Sequence, residues 1–384
     1  MKIRELTIHN FRNILKSQTI EFPEANLLIA AAPNATGKTN FLEALIVLLR
    51  GKSFRASHEE CVGWGEEYFL VKGLIDRDGG QKTLAVQYHA PTKKLRIEED
   101  GQPVSPVTFY SHYPVILFLP EDTFIFYRGP AARRNLLNTT LVSSPQYLSA
   151  IVQYQRALRQ RNSALKAAGK REDVSVWSDV LVGYAQDVWV GRQALVQYMN
   201  THINELYNSL FNEQYDFTIE LITGAPEPQQ YQNLLQESWE YERRYKYTLY
   251  GPHRDDIRIM ANGREVSSVL SRGQMRSLVI ALKVAAFGYV RQTLNTTPIL
   301  LFDEVLSELD EVRQKNLLKH LPDAQILLTC TAVPEGVKQQ EGAYMLDLHT
   351  IVATKDEVGG GVGSTDGHVD VVEEEQGETV AIQA

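Results

Sequence analysis

Residues 26–39 read Asn26-Leu-Leu-Ile-Ala-Ala-Ala-Pro-Asn-Ala-Thr-Gly-Lys-Thr39. The stretch opens with an apolar run suited to a strand buried on both faces and closes on Gly37, Lys38 and Thr39. Apolar residues then recur at Phe41, Leu42, Leu45, Ile46, Leu48 and Leu49, a helical spacing, before Gly51 stops it. Strand, loop and helix in this order make a phosphate cradle. Backbone N–H groups turn toward an anion at a helix start, where the helix dipole also favours negative charge. Gly37 lets the backbone come close, Lys38 neutralises β/γ-phosphate charge, and the Thr39 hydroxyl coordinates Mg²⁺. The candidate nucleotide site is the whole loop: Ala32, Pro33, Asn34, Ala35, Thr36, Gly37, Lys38 and Thr39. The strict pattern has glycine at 32, and many such loops also have it at 35. Alanine fits there where φ is negative and is strained where φ is positive.

Far downstream, Pro298-Ile-Leu-Leu-Phe-Asp303-Glu304 puts two carboxylates at the carboxyl end of a buried strand. Ligands bind at that edge in open α/β sheets. Asp303 is expected to hold Mg²⁺ through water, and Glu304 to polarise the attacking water. Acids at strand ends are common, so this pair takes its meaning from the loop. Leu270-Ser-Arg-Gly-Gln-Met-Arg-Ser-Leu278 leads into a helix over about 273–294, with Ser271 as its cap and Gly273 leaving backbone N–H groups open. Leu306-Ser-Glu-Leu-Asp310 follows the acidic pair, with Asp310 capping a helix over 311–320.

The chain's 384 residues, 43% of them hydrophobic, suffice for a large α/β domain and a smaller lobe. The first 30 residues read as two strands, and residues 68–119 as short strands with turns at Asp76–Gly80 and Glu99–Gly101. Helical spacing takes over at Pro145–Ala168 and Val180–Phe211, in helices a few turns long, with a loop at Gly224–Gln230. The α/β pattern returns near Tyr247 and includes a strand over Gln325–Thr329. The expected architecture is therefore α/β, a P-loop ATPase with mixed sheets and an inserted helical second lobe. Its divisions are 1–125, 126–246 and 247–350, with an acidic disordered tail at 351–384.

Formal net charge is −8, but eight acids and no Lys or Arg follow Lys355, which leaves residues 1–355 neutral. A neutral body can carry a basic face, so charge permits DNA binding. No apolar run reaches the roughly 18 residues of a membrane span, and the N-terminus carries charges where a signal peptide would be apolar. The expectation is a cytoplasmic protein with no membrane partner. Cys61 and Cys330 have no framework or metal-ligand spacing and are expected to be buried thiols.

The Ser271–Gln274 run resembles the signature of ABC ATPases, and the segment ending at Asp310 resembles their D-loop. In that class the phosphate loop of one protomer faces the signature of another. The resemblance thus implies an ATP-dependent homodimer with Ser271, Gly273, Gln274 and Asp310 contributing to the nucleotide site. Over about residues 1–350 the chain is similar to the RecF family of the ABC/SMC-like class. The resemblance is carried by Leu6-Thr-Ile-His-Asn-Phe-Arg-Asn13, Gly51-Lys-Ser-Phe-Arg55, Phe118-Leu-Pro-Glu-Asp122, Arg128-Gly-Pro with Arg133-Arg134, Tyr154–Asn162, and above all Tyr250-Gly-Pro-His-Arg-Asp-Asp256. It puts Arg12 where nucleotide contact is expected. The chain departs from the family's pattern at Ala32, Ala35, Arg272 and the acidic tail.

The resemblance implies a recombination mediator with weak, DNA-stimulated ATP hydrolysis, using ATP and Mg²⁺. Such a protein binds double-stranded DNA near single-strand gaps. It acts with RecR and RecO partners and, through them, helps load the RecA recombinase in gap repair and the SOS response. Candidate phosphate contacts are Arg128, Arg133, Arg134, Arg156, Arg159, Arg161 and Lys166. The alternatives are a nuclease-associated SMC-like ATPase, which needs an added nuclease domain, and an ABC transporter's ATP-binding subunit, which would lack the 250–256 motif and the helical lobe.

Overall fold

The computed structural model describes residues 1–167, 170–225, 227–333 and 342–348, so the tail at 351–384 lies outside the described residues. In chain order the elements begin with β1 (Lys2–His9), β2 (Gln18–Glu21), β3 (Leu27–Ala31), α1 (Lys38–Arg50) and α2 (His58–Cys61). They continue with β4 (Tyr68–Arg77), β5 (Gly80–His89), β6 (Lys94–Glu99), β7 (Gln102–Pro103), α3 (Pro106–His112) and β8 (Val115–Phe118). Next come α4 (Pro130–Leu141), α5 (Pro145–Lys166), α6 (Arg171–Phe211), β9 (Phe217–Ile222), α7 (Pro228–Glu237) and α8 (Trp239–Tyr245). The last are β10 (Asp256–Ala261), β11 (Arg264–Glu265), α9 (Val266–Val269), α10 (Arg272–Leu294), β12 (Ile299–Phe302), α11 (Glu311–Lys319), β13 (Ile326–Cys330) and β14 (Ala343–Leu346).

Among the described residues three sheets form: β2-β1-β4-β5-β6-β7, β11-β10-β9 and β14-β3-β13-β12-β8. The first is antiparallel and alternates in burial. Two of its hairpins turn at Asp78 (φ 51) and Asp100 (φ 51), each followed by a glycine that also has positive φ. That pair of positive φ values suits a two-residue turn matched to strand twist. The third sheet is parallel throughout. Four of its strands, β3, β8, β12 and β13, are buried on both faces, as continuous apolar runs must be, while the edge strand β14 is partly exposed. Leu28, Ala30, Val115, Leu117, Leu301 and Leu327 face a core shared with α1 and the antiparallel sheet. Their alternates Leu27, Ile29, Phe118, Leu300, Phe302 and Leu328 face a core shared with α10 and the helical segment. The parallel sheet is thus the middle layer. The apolar α10 is mostly buried against it, which accounts for a composition that would otherwise suit a membrane.

Three sequence expectations are corrected. The first 30 residues hold three strands rather than two, because Gln18–Glu21 pairs with β1 as a strand of its own ahead of the expected one at Leu27–Ala31. The helices of the middle segment are not all a few turns long. Helix α6 runs 41 residues, about 60 Å at 1.5 Å per residue, and packs along α5 and α10. Its apolar positions fall on one buried stripe from Val174 to Phe211, so tertiary burial extends it past the stretch where periodicity was evident. The expected loop at Gly224–Gln230 is shorter, because Pro228 starts α7, where its fixed φ suits a first helical turn.

The helical segment is joined to the rest by the 250–256 motif. Gly251 has φ 126, and a Cβ there would lie 2.3 Å from the Tyr231 hydroxyl and 2.4 Å from that of Tyr154, so only glycine fits. His253 Nδ1 lies 2.7 Å from the Tyr154 hydroxyl. Burial pushes this imidazole down to about 4, so it stays neutral. Asp255 is buried and accepts from Arg192 at 2.6 Å and from the Trp189 indole at 3.0 Å. Asp256 takes Arg133 through both oxygens, at 2.6 and 2.9 Å. A second buried pair, Arg161 with Glu242 at 2.6 Å, locks α8 onto α5. Strand β9 also pairs with β10 across the expected 246/247 division. Removing one partner of a buried pair strands the other charge, at about 3–5 kcal/mol. Arg192→Met is expected to lower stability by that order, read as a depressed midpoint in thermal or urea unfolding, with a much smaller loss in the double variant Arg192→Met/Asp255→Leu.

Candidate nucleotide site

Parallel pairing of β3, β13 and β12 puts three carboxyl ends at one edge of the sheet, with Ala31 opposite Cys330 and Phe302 opposite Leu328. The residue after each strand end therefore enters the same small volume. From β3 comes the loop 32–39. From β12 come Asp303 and Glu304, and from β13 Thr329 and Thr331. Asp303 N donates to Phe118 O at 3.0 Å, so the end of β8 belongs to this edge as well.

The loop turns into α1 through Gly37 at φ 96, and Gly37 O accepts the first helical bond from Phe41 N at 2.9 Å. Ala35 sits at φ 66, in the left-handed region, whereas Ala32 is not among the residues with positive φ. Of the two departures from the glycine pattern, only Ala35 is strained. The Lys38 ammonium is 6% exposed. It donates to Ala32 O at 2.6 Å and Pro33 O at 3.0 Å, and pairs with Glu304 at 2.9 Å. The Thr36 hydroxyl donates to Pro33 O at 2.8 Å, tightening the loop. Thr39 donates to Asp303 Oδ2 at 3.0 Å, and Thr329 donates to Asp303 Oδ1 at 2.6 Å. The Thr331 hydroxyl lies within 3.1–3.3 Å of oxygens of Glu304 and Asn34.

Burial pushes the Asp303 carboxyl above the usual range. The Thr329 and Thr39 hydroxyls oppose that rise, and the Glu304 charge adds to it. A buried carboxylate whose oxygens accept only from hydroxyls gains from a cation beside it. Thr39 Oγ and Asp303 Oδ2 are a hydroxyl and a carboxylate oxygen side by side, an oxygen donor set of the kind that suits Mg²⁺ with phosphate and water. The loop's ammonium and turned backbone likewise suit a polyphosphate, so the residues present fit both groups.

The remaining candidates form a second group. Ser271 and Gln274 close a capping box at the start of α10, at 2.9 and 3.3 Å, with Ser271 exposed. Gln274 Nε2 donates to Glu213 at 2.9 Å and to the Tyr215 hydroxyl at 2.8 Å. Arg313 joins Glu213 to Asp310, bonding the latter at 3.0 Å, and passes 3.2 Å from where a Gly273 Cβ would be. Ser271, Gly273, Gln274 and Asp310 are therefore tied to one another through Glu213 and Arg313, and not to Lys38. Arg12 belongs to neither group. Its guanidinium holds the buried Glu43 at 2.7 and 2.9 Å and the Glu60 carbonyl at 2.7 Å. Glu43 also accepts from Arg55 and Ser53, which braces α1 from its buried side.

The structure divides the candidate phosphate contacts as well. Arg161 is buried on Glu242, Arg133 is engaged by Asp256, and Arg134 donates to Asp255 O at 2.8 Å. Arg161 thus cannot reach DNA. Arg128, Arg156, Arg159 and Lys166 are exposed, the last three on the outer side of α5.

A family model described as an AAA ATPase domain matches residues 1–109. The DNA replication and repair protein RecF of Latilactobacillus sakei is 33% identical, over 88% of this chain and 94% of that protein. Its counterpart in Geotalea daltonii is 31% identical, over 87% and 94%. The chain belongs to the RecF family. Family membership and the ATPase-domain match make it a recombination-mediator ATPase. Among solved structures, the recombination mediator protein RecF-ATPrS in the RecFOR pathway superposes with a TM-score of 0.81 at 30% identity, over 90% of this chain and 96% of that one. An Smc head bound to the C-terminal winged-helix domain of ScpA superposes at 0.51 and 15% identity, a likeness of fold. The architecture is accordingly that of an ABC/SMC-like ATPase.

Thr329, Thr331 and Glu43 were not among the candidate site residues. Thr329 and Thr331 flank the end of a strand that was recognised, but only the register of β13 shows that they reach Asp303 and Glu304. A left-handed alanine costs about 1 kcal/mol more than glycine. Ala35→Gly is expected to raise the unfolding midpoint by about 1–3 °C and to tighten nucleotide binding a few-fold in a titration with a fluorescent ATP analogue.

Proposed function

We propose that this chain is an ATP-switched DNA clamp for recombinational gap repair, with weak, DNA-stimulated hydrolysis. One observation carries the reading: Lys38 pairs with Glu304 and Thr39 bonds Asp303 at the edge of one sheet. In this proposal the loop 32–39 cradles the triphosphate. Lys38 exchanges the Ala32 and Pro33 carbonyls and the Glu304 carboxylate for phosphate oxygens, which frees Glu304 to accept a proton from the attacking water. Thr39 and Asp303 would hold Mg²⁺, which when bound neutralises charge on the transferring phosphate. Residues 1–125 and 247–350 act as the ATPase and 126–246 as the helical lobe.

Ser271, Gly273, Gln274 and Asp310 are tied together apart from Lys38, with Ser271 exposed. That arrangement favours a role toward a second copy, each nucleotide being closed between two protomers. DNA would bind through phosphates to Arg128, Arg156, Arg159 and Lys166 without sequence preference. The partners would be double-stranded and gapped DNA, RecR and RecO proteins and, indirectly, RecA. The solved relative named for the RecFOR pathway supports that choice. A nuclease reading gains nothing here, since among the described residues no group of three or more His, Cys, Asp or Glu is placed to hold a metal.

Lys38→Ala is expected to weaken nucleotide binding at least tenfold and to abolish ATP-dependent retention on gapped duplex. Unchanged ATP-dependent retention would reject the switch. Glu304→Gln is expected to slow hydrolysis by about a hundredfold or more while prolonging an ATP-bound dimer in sedimentation with Mg²⁺. A purely monomeric variant would reject the shared site.

A further inference from the structure

Helix α8 and the residues after it carry a strip that the ATPase chemistry does not use. Tyr241 and Tyr245 lie one helical turn apart and are 63% and 54% exposed, and Tyr247 is 39% exposed. Tyr245 and Tyr247 bring their ring centroids to 6.0 Å, and the Arg254 guanidinium sits 5.2 Å over the Tyr247 ring. The exposed charges from 239 to 254 are Arg243, Arg244, Lys246 and Arg254 against Glu240 alone. No Leu, Ile, Val or Met occurs between 239 and 247.

The strip is held rigidly from behind. Glu242, fully buried, takes Arg161 at 2.6 Å and the Leu249 N–H at 2.8 Å, which turns its neighbours outward. Lys246 then ends the helix in the left-handed conformation and swings Tyr247 beside Tyr245.

We propose that this strip is a stacking platform for single-stranded nucleic acid. Rings offer a face to any base and cations follow the backbone, whereas the centre of a protein dock is depleted of charge and here four exposed cations lie among the rings. Rigid presentation lowers the ordering cost of binding. Helix α8 packs on α5, the helix that carries three of the cations assigned to duplex phosphates on its outer side. The inference rests on the DNA-binding reading and names the unpaired strand beside the duplex as the second ligand.

The test uses the full chain with ATP and Mg²⁺ and anisotropy of labelled oligothymidine, blunt duplex and gapped duplex. Tyr241→Ala/Tyr245→Ala/Tyr247→Ala is expected to weaken oligothymidine binding by about tenfold or more and to leave blunt-duplex binding within about twofold. The matching triple Phe variant keeps the rings and should bind like the parent. Arg156→Ala/Arg159→Ala should weaken duplex binding and spare oligothymidine. Oligothymidine affinity unmoved by the Ala triple, or lost equally in the Phe triple, overturns the platform. So does loss of a partner protein from the Ala triple with oligothymidine binding intact. Failure of the parent to bind any duplex would instead overturn the DNA reading itself.

Discussion

The parallel register of three short strands is the constraint on which the site depends. Strand β13 lies between β3 and β12, so Cys330 is level with Ala31 and Leu328 with Phe302. A shift of one residue in either pairing would turn the alternating side chains of that strand to the opposite core. It would also carry Asp303 away from Thr39. The two cores that clasp the sheet therefore set the position of the chemistry. Leu28 and Ala30 can face only the α1 side while Leu27 and Ile29 face the α10 side, and that division fixes where the loop begins.

A second constraint ties the helical segment to the catalytic layer. It consists of buried charge rather than apolar area alone. Arg192, Asp255, Arg161 and Glu242 are nearly inaccessible, and each has a charged partner at 2.6 Å. Apolar residues of similar size could pack as firmly, yet ion pairs of fixed geometry admit few alternative dockings. Here they orient α5, α6 and α8 against β10. That explains why the six residues from Gly251 to Asp256 are so particular: a glycine that clears two tyrosine hydroxyls, a neutral histidine and two adjacent carboxylates aimed at different arginines.

Much of this was legible in the sequence, for physical reasons that differ by element. The loop and α1 could be read because a buried strand, a glycine at a tight turn and a helical apolar pattern are all local signals. The acidic pair was legible as a strand end, and Ser271 and Asp310 as helix caps, which they are. The convergence of Lys38 with Glu304 was not legible, because it depends on pairing between segments far apart in the chain. The same holds for Arg161. Its spacing beside Arg156 and Arg159 suggests a basic face, and only the fold shows that it turns inward to Glu242. The helical spacing of Val180–Phe211 was legible; the part of α6 that escaped notice is Arg171–Asp179, where Val174 alone is buried among mostly polar residues and Ser178 meets Arg161 of α5.

Two residues of the site hold backbone conformations that their side chains disfavour. Ala35 has φ 66 and Glu304 has φ 51, one on each side of the Lys38 ammonium. Such strain persists only where surrounding contacts over-determine it. For Glu304 those contacts are visible: its N–H donates to Thr329 O at 3.1 Å, and its carboxylate meets Lys38 and Thr331. Ala35 is held by the turn between Pro33 and Gly37, which the Thr36 hydroxyl closes on Pro33 O. Lys38 thus bridges two strained segments through the Ala32 and Pro33 carbonyls on one side and Glu304 on the other. Drawing that ammonium onto phosphate would release contacts on both sides at once. Glu304 is followed by Val305–Glu308 and then by Asp310, which Arg313 links to Glu213 and so to the Ser271–Gln274 cap. The lysine that would meet the nucleotide is connected along this short path to the surface that would meet a second protomer, so occupancy and assembly can be coupled within about ten residues of chain.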